Sequence, residues 1–236
     1  MNGLGEILFG PVGSSLSIVA LGLKILGALI MCAALALLAR RSELGWWLAI
    51  GSFAMSLLAG TFAVPVDFLS SAAIVTLYIV GSWIPPLVGA AVSVYGLLWF
   101  RKAPETQPLT RDVSLRRFTP DTLVPPLLVA VIFAAANLIP VLILNASGSG
   151  PNLQIPLTPM FVSGFLGGFL AAGLLGLANR SRWAWFLIAA AALVSIAGTT
   201  LAAQGSVLIF IYLAQAVLAV YGWGRWGGIP ERSTRR

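Results

Sequence analysis

A short stripe of polar and aromatic residues near the C-terminus carries the side chains best suited to recognising a ligand. From Tyr212, the residues Gln215, Ala219 and Trp223 follow at three, seven and eleven positions, a spacing that places all four on one face of a helix. A Gln amide offers hydrogen-bond donors and an acceptor, and aromatic rings offer flat apolar faces. The stripe predicts a site for an uncharged or aromatic-ring ligand. The alternative is that Gln215 only bonds a neighbouring helix, as such residues often do in membranes.

Other polar residues inside apolar segments are candidates for the same site. They are Asn137, Ser195, Thr199 and Thr200 in the second half of the chain, and Ser52, Ser56 and Tyr78 in the first. For Asn137, as for Gln215, a hydrogen bond to a neighbouring helix is the alternative to ligand contact.

The residues that the chain lacks exclude several chemistries. It has no His and a single Cys, Cys32, and its carboxylates do not cluster, so no ligand set exists for haem, zinc or an iron–sulfur cluster. No nucleophile and base can be paired, so we predict no enzyme, no catalytic residues, no metal and no cofactor. No apolar segment has Asp, Glu or His at its middle, which leaves a proton relay without a carrier. Transport, if the chain performs it, would be passive.

The elements that must position these side chains are membrane helices. The 236 residues are 59% hydrophobic and 9% charged, whereas an average soluble domain is about 45–50% apolar and about 25% charged. The charges cluster between nearly uncharged stretches that are long enough, as helices, to cross a hydrocarbon core of about 30 Å. The predicted spans are 16–39, 46–66, 75–100, 122–144, 160–178, 183–203 and 205–226. The chain is therefore predicted to be an all-α membrane protein with seven transmembrane helices.

The third span requires a choice, because the apolar stretch 68–100 is too long for one straight crossing and too short for two. A single crossing keeps every basic loop on one side of the membrane. We therefore predict one helix at 75–100, an interfacial or re-entrant piece at 67–74, and a kink at Pro85 and Pro86.

Charge sets the predicted orientation. Every basic residue except Lys24 then lies in the loops after spans 1, 3, 5 and 7, and the positive-inside rule places the N-terminus outside and the C-terminus in the cytoplasm. Lys24 is expected to snorkel towards the outer surface. This topology explains the net charge of +7 without a nucleic-acid partner. The predicted location is the cytoplasmic (inner) membrane, as a multi-pass protein.

Three ordered matches indicate an internal repeat. The sequences compared are Ala-Arg-Arg-Ser at 39–42 with Ala-Asn-Arg-Ser at 178–181, Ala-Gly-Thr at 59–61 with 197–199, and Val-Tyr-Gly at 94–96 with 220–222. Both copies face the same way only if an odd number of spans separates them, and span 4 supplies that crossing. The predicted architecture is 3+1+3, with two parallel three-helix repeats, a known transporter design whose substrate site lies between the halves.

The repeat divides the chain into six regions. They are the first repeat with its N-terminal tail (1–100), a cytoplasmic linker (101–121), a linking transmembrane helix (122–144), an outer loop (145–159), the second repeat (160–226) and a basic C-terminal tail (227–236).

The second repeat contains Asn-Arg-Ser-Arg-Trp-Ala-Trp at 179–185, then Tyr212, then Val-Tyr-Gly-Trp-Gly-Arg-Trp at 220–226. In these residues it resembles the PnuC family of vitamin transporters. The Tyr-Gly-Trp-x-x-Trp ending is typical of that family, as are an outside N-terminus and the 3+1+3 plan, which is also SWEET-like. The chain departs from the family pattern at 189–192, where four alanines stand in the place of a polar residue.

The resemblance implies facilitated diffusion of a small solute such as nicotinamide riboside, thiamine, riboflavin or a deoxynucleoside, trapped inside by a cytosolic kinase. It also implies that Trp185, Tyr212 and Gln215 contact the substrate. The full set of predicted substrate-binding residues is Gln215, Tyr212, Trp185, Asn137, Thr199, Ser56 and Tyr78. The expected partners are the solute, the lipid bilayer and a second copy of the chain packed through membrane helices. The alternative function is a non-transporting scaffold or a subunit of a membrane complex.

Overall fold

The computed structural model describes residues 15–62, 72–102, 127–133, 135, 142, 157–179, 181–201 and 206–227. Every regular element in these ranges is an α-helix. The six long helices are α1 (Ser15–Ala39), α2 (Glu43–Phe62), α3 (Ala72–Lys102), α4 (Leu157–Ala178), α5 (Ala184–Leu201) and α6 (Ser206–Gly227). Residues 127–133 are also helical and lie within the predicted linking span.

Four of the described helical stretches are long and apolar enough, by length and composition, to cross a membrane. They are Ile18–Ala39, Glu43–Phe62, Ser82–Lys102 and Ser206–Trp226, and α4 and α5 contain the shorter apolar stretches Gly168–Ala178 and Ala184–Thr200. At about 1.5 Å per residue, a helix of about 20 residues spans the hydrocarbon core. Large apolar side chains also remain exposed along α6, among them Phe210, Val217 and Val220. The chain is a multi-pass helical membrane protein.

Helix α3 runs without interruption from Ala72 to Lys102, with Pro85 and Pro86 inside it. Residues 72–74, which the sequence predicted as part of an interfacial or re-entrant piece, are its first turn. A helix can continue through proline in a membrane because neighbouring groups satisfy the carbonyl oxygens that proline leaves unbonded. The described part of the apolar stretch, from residue 72 to residue 100, therefore lies in one long helix.

The six long helices pack in a cycle. Within the first triplet (α1, α2 and α3) and the second triplet (α4, α5 and α6), consecutive helices pack against each other. Two further interfaces, α1 with α6 and α3 with α4, join the triplets. The first helix of each triplet therefore contacts the last helix of the other.

The turns that join the first two helices of each triplet have the same hydrogen bond. The Ser42 backbone N–H donates to the Leu37 carbonyl at 2.9 Å, and the Ser181 N–H donates to the Gly176 carbonyl at 2.8 Å. This six-to-one bond ends a helix in a Schellman-type turn, which needs a left-handed residue just before the donor. In the first triplet that residue is Arg41, with φ of 60°.

A tryptophan on the second helix of each triplet packs on a glycine of the third. A Cβ atom added to Gly96 would lie under 3.0 Å from the Trp46 ring, and one added to Gly222 would lie under 3.0 Å from the Trp185 ring. Both indoles are nearly fully buried. The absence of a side chain at these two positions is what lets the rings lie against the third helix.

Candidate functional site

Gln215 lies in the interface between the two triplets. It sits midway along α6 and is buried, and its Nε2 donates a hydrogen bond to the backbone carbonyl of Ala28 in α1 at 3.0 Å. A carbonyl inside a helix has a second lone pair, so it can accept this bond while keeping its own helical one. The amide therefore links α6 to α1.

The same part of α1 accepts a second side-chain hydrogen bond, which comes from α2. Ser52 of α2 donates its Oγ hydrogen to the Gly27 carbonyl at 2.8 Å. The helices approach closely here, because a Cβ on Gly27 would lie 3.1 Å from the Met55 Cβ. Adjacent carbonyls of α1 thus accept hydrogen bonds from α2 and from α6.

Cys32 and Ser56 complete this group. The Cys32 thiol donates to the Ile211 carbonyl of α6 at 3.7 Å and lies beside the Gln215 side chain. Ser56 donates to the Ser52 carbonyl at 3.1 Å, and its Oγ would lie 3.7 Å from a Cβ on Gly27. We call Ser52, Ser56, Cys32 and Gln215, together with the Gly27 and Ala28 carbonyls, the central polar cluster.

The other predicted residues lie in several places. Tyr212 is half-buried one turn before Gln215 on α6. Thr199 is buried on α5, and its hydroxyl donates to the Ser195 carbonyl of its own helix at 2.7 Å. Tyr78 lies on α3, but its side chain is outside the described part of the chain, and Asn137 is outside it altogether. The structure therefore places Ser56 of α2 and Gln215 of α6 against neighbouring residues of α1, with Tyr212 one turn from Gln215 on α6.

Trp185 lies apart from this cluster. Its ring packs on Gly222 of α6, seven residues beyond Gln215, which is about 10 Å along the helix. It meets Trp226 edge to face, with ring centroids 5.8 Å apart and planes at 84°. Its indole N–H has no hydrogen-bond partner among the described residues. The position of Trp185 matches that of Trp46 in the first triplet, so in this arrangement its ring packs helices together.

Sequence reasoning missed the α1 side of the cluster. The acceptors are backbone carbonyls of Gly27 and Ala28, which no side-chain pattern reveals. The available signal was small residues four positions apart on one helix face, here Ala28 and Cys32, which mark a close helix contact in membranes.

The two triplets differ two helical turns away from the tryptophan–glycine pairs, towards the middle of the helices. Seven residues after the tryptophan, the first triplet has Phe53 and the second has Ala192. Seven residues before the glycine, the first triplet has Gly89 and the second has Gln215. In the first triplet the Phe53 ring covers Gly89, where a Cβ would lie under 3.0 Å from it. In the second triplet the corresponding positions hold a methyl group and an amide. The second triplet thus has a small residue and a polar group where the first triplet has a bulky apolar contact.

The cluster has the chemistry of an uncharged site. It offers an amide, hydroxyls, a thiol and backbone carbonyls, and together these groups do not form a strong set of metal ligands. Within the described ranges, no group of three or more His, Cys, Asp or Glu residues could hold a metal ion.

Comparison with known proteins gives one structural similarity. No family model matches the chain, and no curated protein matches it. A solved structure, the crystal structure of the vitamin B3 transporter PnuC, aligns over 93% of each chain with a TM-score of 0.40 and 16% sequence identity. Similarity at this level does not establish membership of a family.

Proposed function

We propose that the chain is a facilitator that lets a small uncharged or aromatic solute diffuse across the membrane, with its site at the central polar cluster. The observation that carries this proposal is the buried Gln215 amide between α1 and α6, where the two triplets meet. Substrate sites of repeat-built carriers lie near the membrane midplane between their halves. The solutes that we propose are vitamin-like or nucleoside-like: nicotinamide riboside, thiamine, riboflavin or a deoxynucleoside.

The proposed architecture is 3+1+3, and the equivalent contacts of the two triplets support it. Matching turn hydrogen bonds and matching tryptophan–glycine pairs occur in the same order in both. The cycle of helix contacts has the same two-fold pattern, because α1 meets α6 as α4 meets α3. The linking helix would include residues 127–133.

The proposed mechanism is passive. The central polar cluster contains no carboxylate or imidazole, so it has no group that could carry a proton across the membrane. A ligand would compete with the Ala28 carbonyl for the Gln215 amide and would use its Oε1 acceptor. Phosphorylation by a cytosolic kinase would keep the inner concentration low and make net uptake continue. The proposed orientation has the N-terminus outside and the C-terminus in the cytoplasm, in the inner membrane.

A second candidate function is a non-transporting scaffold or a subunit of a membrane complex. The observation that favours it is that the polar groups already have partners within the fold. Gln215 bonds α1, Ser52 bonds α1, and Thr199 bonds its own helix. Hydrogen bonds of this kind are worth about 0.6 kcal/mol each in membrane helices, with a maximum of about 1.7 kcal/mol.

Uptake into proteoliposomes tests the first proposal. Labelled nicotinamide riboside, thiamine and riboflavin are offered to vesicles with and without the protein, and at least one should equilibrate faster with it and stop at equal concentrations. Q215A should lower the initial rate about tenfold, the effect of losing roughly 1.4 kcal/mol of ligand hydrogen bonding.

The matched control is T200V. The Thr200 hydroxyl is exposed on α5 and bonds only its own helix, at the Ile196 carbonyl, so T200V should transport like the unmodified chain. Equal permeation through protein-free vesicles would exclude these solutes and favour the scaffold. Normal transport by Q215A would place the site elsewhere.

A further inference from the structure

One end of the helix cycle is basic and aromatic. At this end α1, α3 and α6 finish and α2 and α5 begin, and Arg–Trp pairs hold the ends of neighbouring helices together. The pairs are Arg41 over Trp226 at 6.0 Å, Arg101 over Trp47 at 5.8 Å, and Arg182 over Trp223 at 3.8 Å from cation to ring centroid. Arginine stacked on tryptophan at a membrane surface combines charge attraction with an amphipathic ring.

Arg182 is the most tightly held of the three. Its Nε donates to the Trp223 backbone carbonyl at 3.1 Å, while its guanidinium lies over the ring of the same residue. That carbonyl is near the C-terminal end of α6, where the helix dipole is negative and favours a cation. One edge and one face of the guanidinium are thereby fixed. The two Nη groups have no hydrogen-bond partner among the described residues, so they form a preoriented fork.

The corresponding place in the first triplet has the opposite charge. Glu43 follows the turn residue Ser42 as Arg182 follows Ser181. Glu43 accepts a hydrogen bond from the Arg101 Nε at 2.8 Å and forms an ion pair with it. The Arg–Trp pair of the first triplet is therefore neutralised by a carboxylate. No described carboxylate lies on Arg182, so the second triplet presents a fixed positive charge.

An apolar surface continues from Arg182 towards the membrane. Phe186 is one helical turn further into α5, and its ring contacts the Trp223 ring with centroids 4.1 Å apart. Phe186 is 53% exposed. A cationic fork above an exposed aromatic ring matches a phosphate headgroup above an acyl chain, and guanidinium forks bind phosphate oxygens in pairs.

We propose that Arg182, Trp223 and Phe186 form a binding site for the headgroup phosphate of an anionic phospholipid in the leaflet at the basic end. The guanidinium Nη groups bind two phosphate oxygens, and the acyl chain lies on Phe186. The site does not depend on whether the chain transports a solute, and it anchors the α5–α6 contact in the membrane.

Lipid titration of the purified protein in detergent tests the site. Phosphatidylglycerol, phosphatidylcholine and inorganic phosphate are added separately, and bound lipid is counted by native mass spectrometry while thermal stability is followed. Phosphatidylglycerol should bind and raise the melting temperature more than phosphatidylcholine, and inorganic phosphate should have no effect. R182Q should weaken phosphatidylglycerol binding roughly fivefold or more, because a charge-assisted bidentate pair is lost.

Two variants make the result specific. R225Q removes an exposed charge at the same helix end and should keep the binding of the unmodified chain. R182K keeps the positive charge but lacks the two Nη groups, so it should bind phosphatidylglycerol with intermediate affinity. It also replaces R182Q in the test if R182Q does not fold. Equal losses in R182Q and R225Q would overturn the site in favour of diffuse charge attraction. Equal binding of the two lipids, or binding of inorganic phosphate alone, would also overturn it.

Discussion

In the first triplet Trp46 packs on Gly96, and in the second Trp185 packs on Gly222. The turns that precede these tryptophans also share a hydrogen bond of 2.8–2.9 Å from a serine N–H. Two turns further into the membrane this similarity ends. The first triplet has the Phe53 ring against Gly89, and the second has Ala192 and Gln215.

The two triplets also differ at the ends away from the basic end, where only the first has close contacts around its glycine. Gly60 packs against Ser82, and the Trp83 indole donates to the Thr61 hydroxyl at 3.0 Å. In the second triplet no described residue would contact a Cβ on Gly198. The tryptophan–glycine pairs and the turns before them are therefore common to both triplets, while the middle parts and the ends away from the basic end differ. This difference is one reason for proposing a site where the second triplet contacts α1.

Removing either of the tryptophans that pack on glycine, Trp46 or Trp185, should have the largest effect on stability. W46A and W185A each delete a buried indole and leave the facing glycine without a partner, at a cost of about 3–5 kcal/mol in unfolding free energy. Thermal unfolding in detergent measures the loss. W99A, in which the indole is 46% exposed, should cost much less. A large loss in only one of the two buried variants would show that this packing is not equivalent in the two triplets.

A bulky side chain at Ala192 tests whether the space beside Gln215 is used for transport. A192F places a ring where the first triplet has Phe53, and the overpacking against α6 should cost about 1–3 kcal/mol. The ring should also displace the Gln215 amide and abolish solute uptake in vesicles. Uptake at the normal rate by a folded A192F protein would mean that this space is not part of the route.

Removing the side-chain hydrogen bonds to α1 should have equal structural effects and unequal functional ones. Q215A and S52A each delete one bond between helices, so each should lower the unfolding free energy by about 0.6 kcal/mol and at most about 1.7 kcal/mol. Q215A should reduce the uptake rate more than S52A, because the Ser52 hydroxyl already donates its one hydrogen to the Gly27 carbonyl, whereas the Gln215 amide has two donors and an acceptor. If the two variants lose uptake equally, the loss comes from the helix packing that both hydrogen bonds support and not from ligand contact by Gln215.

The smallest effect is expected at the surface ion pair. E43Q breaks the ion pair with Arg101, in which both side chains are exposed to solvent. The unfolding free energy should therefore fall only slightly, and the difference from the unmodified chain should vanish at high salt. Melting curves at low and high ionic strength measure this. R182Q in the second triplet should instead lose the rise in melting temperature that added anionic lipid gives the unmodified chain. A salt-sensitive loss of the same size in both variants would remove the distinction between the two triplets at this end.

Much of the fold could be predicted because helix formation in a membrane is a local property. Inside hydrocarbon each backbone group must be bonded within its own helix, so a long apolar run between charges suffices to predict a span. Helix α1 begins at Ser15 and the span was predicted from residue 16, while α6 covers Ser206–Gly227 against a prediction of 205–226. The boundary was less accurate at α3, where residues 72–74 were predicted to belong to an interfacial or re-entrant piece and instead form the first turn of the helix.

The site could be predicted only in part. Gln215 was identified because a lone amide in an apolar helix is unusual, and Ser56 because it is polar at mid-span. Cys32 and the carbonyl acceptors of α1 were missed, since they become visible only when α1, α2 and α6 are in contact. The prediction for Asn137 lies outside the described part of the chain, and that for Trp185 remains untested, although its ring packs at the basic end.

The sequence by itself determined that this is a helical membrane protein, where its main helices lie and that its spans carry almost no charge. These properties follow from the transfer of apolar and charged groups into hydrocarbon, which depends on each segment alone. The tertiary structure decided that Gln215 bonds Ala28, 187 positions away, and that Arg182 is fixed on Trp223, 41 positions away. Such pairings depend on which helices meet and on where small residues let them approach, and lipid is as apolar as the helices, so hydrophobicity alone does not select them.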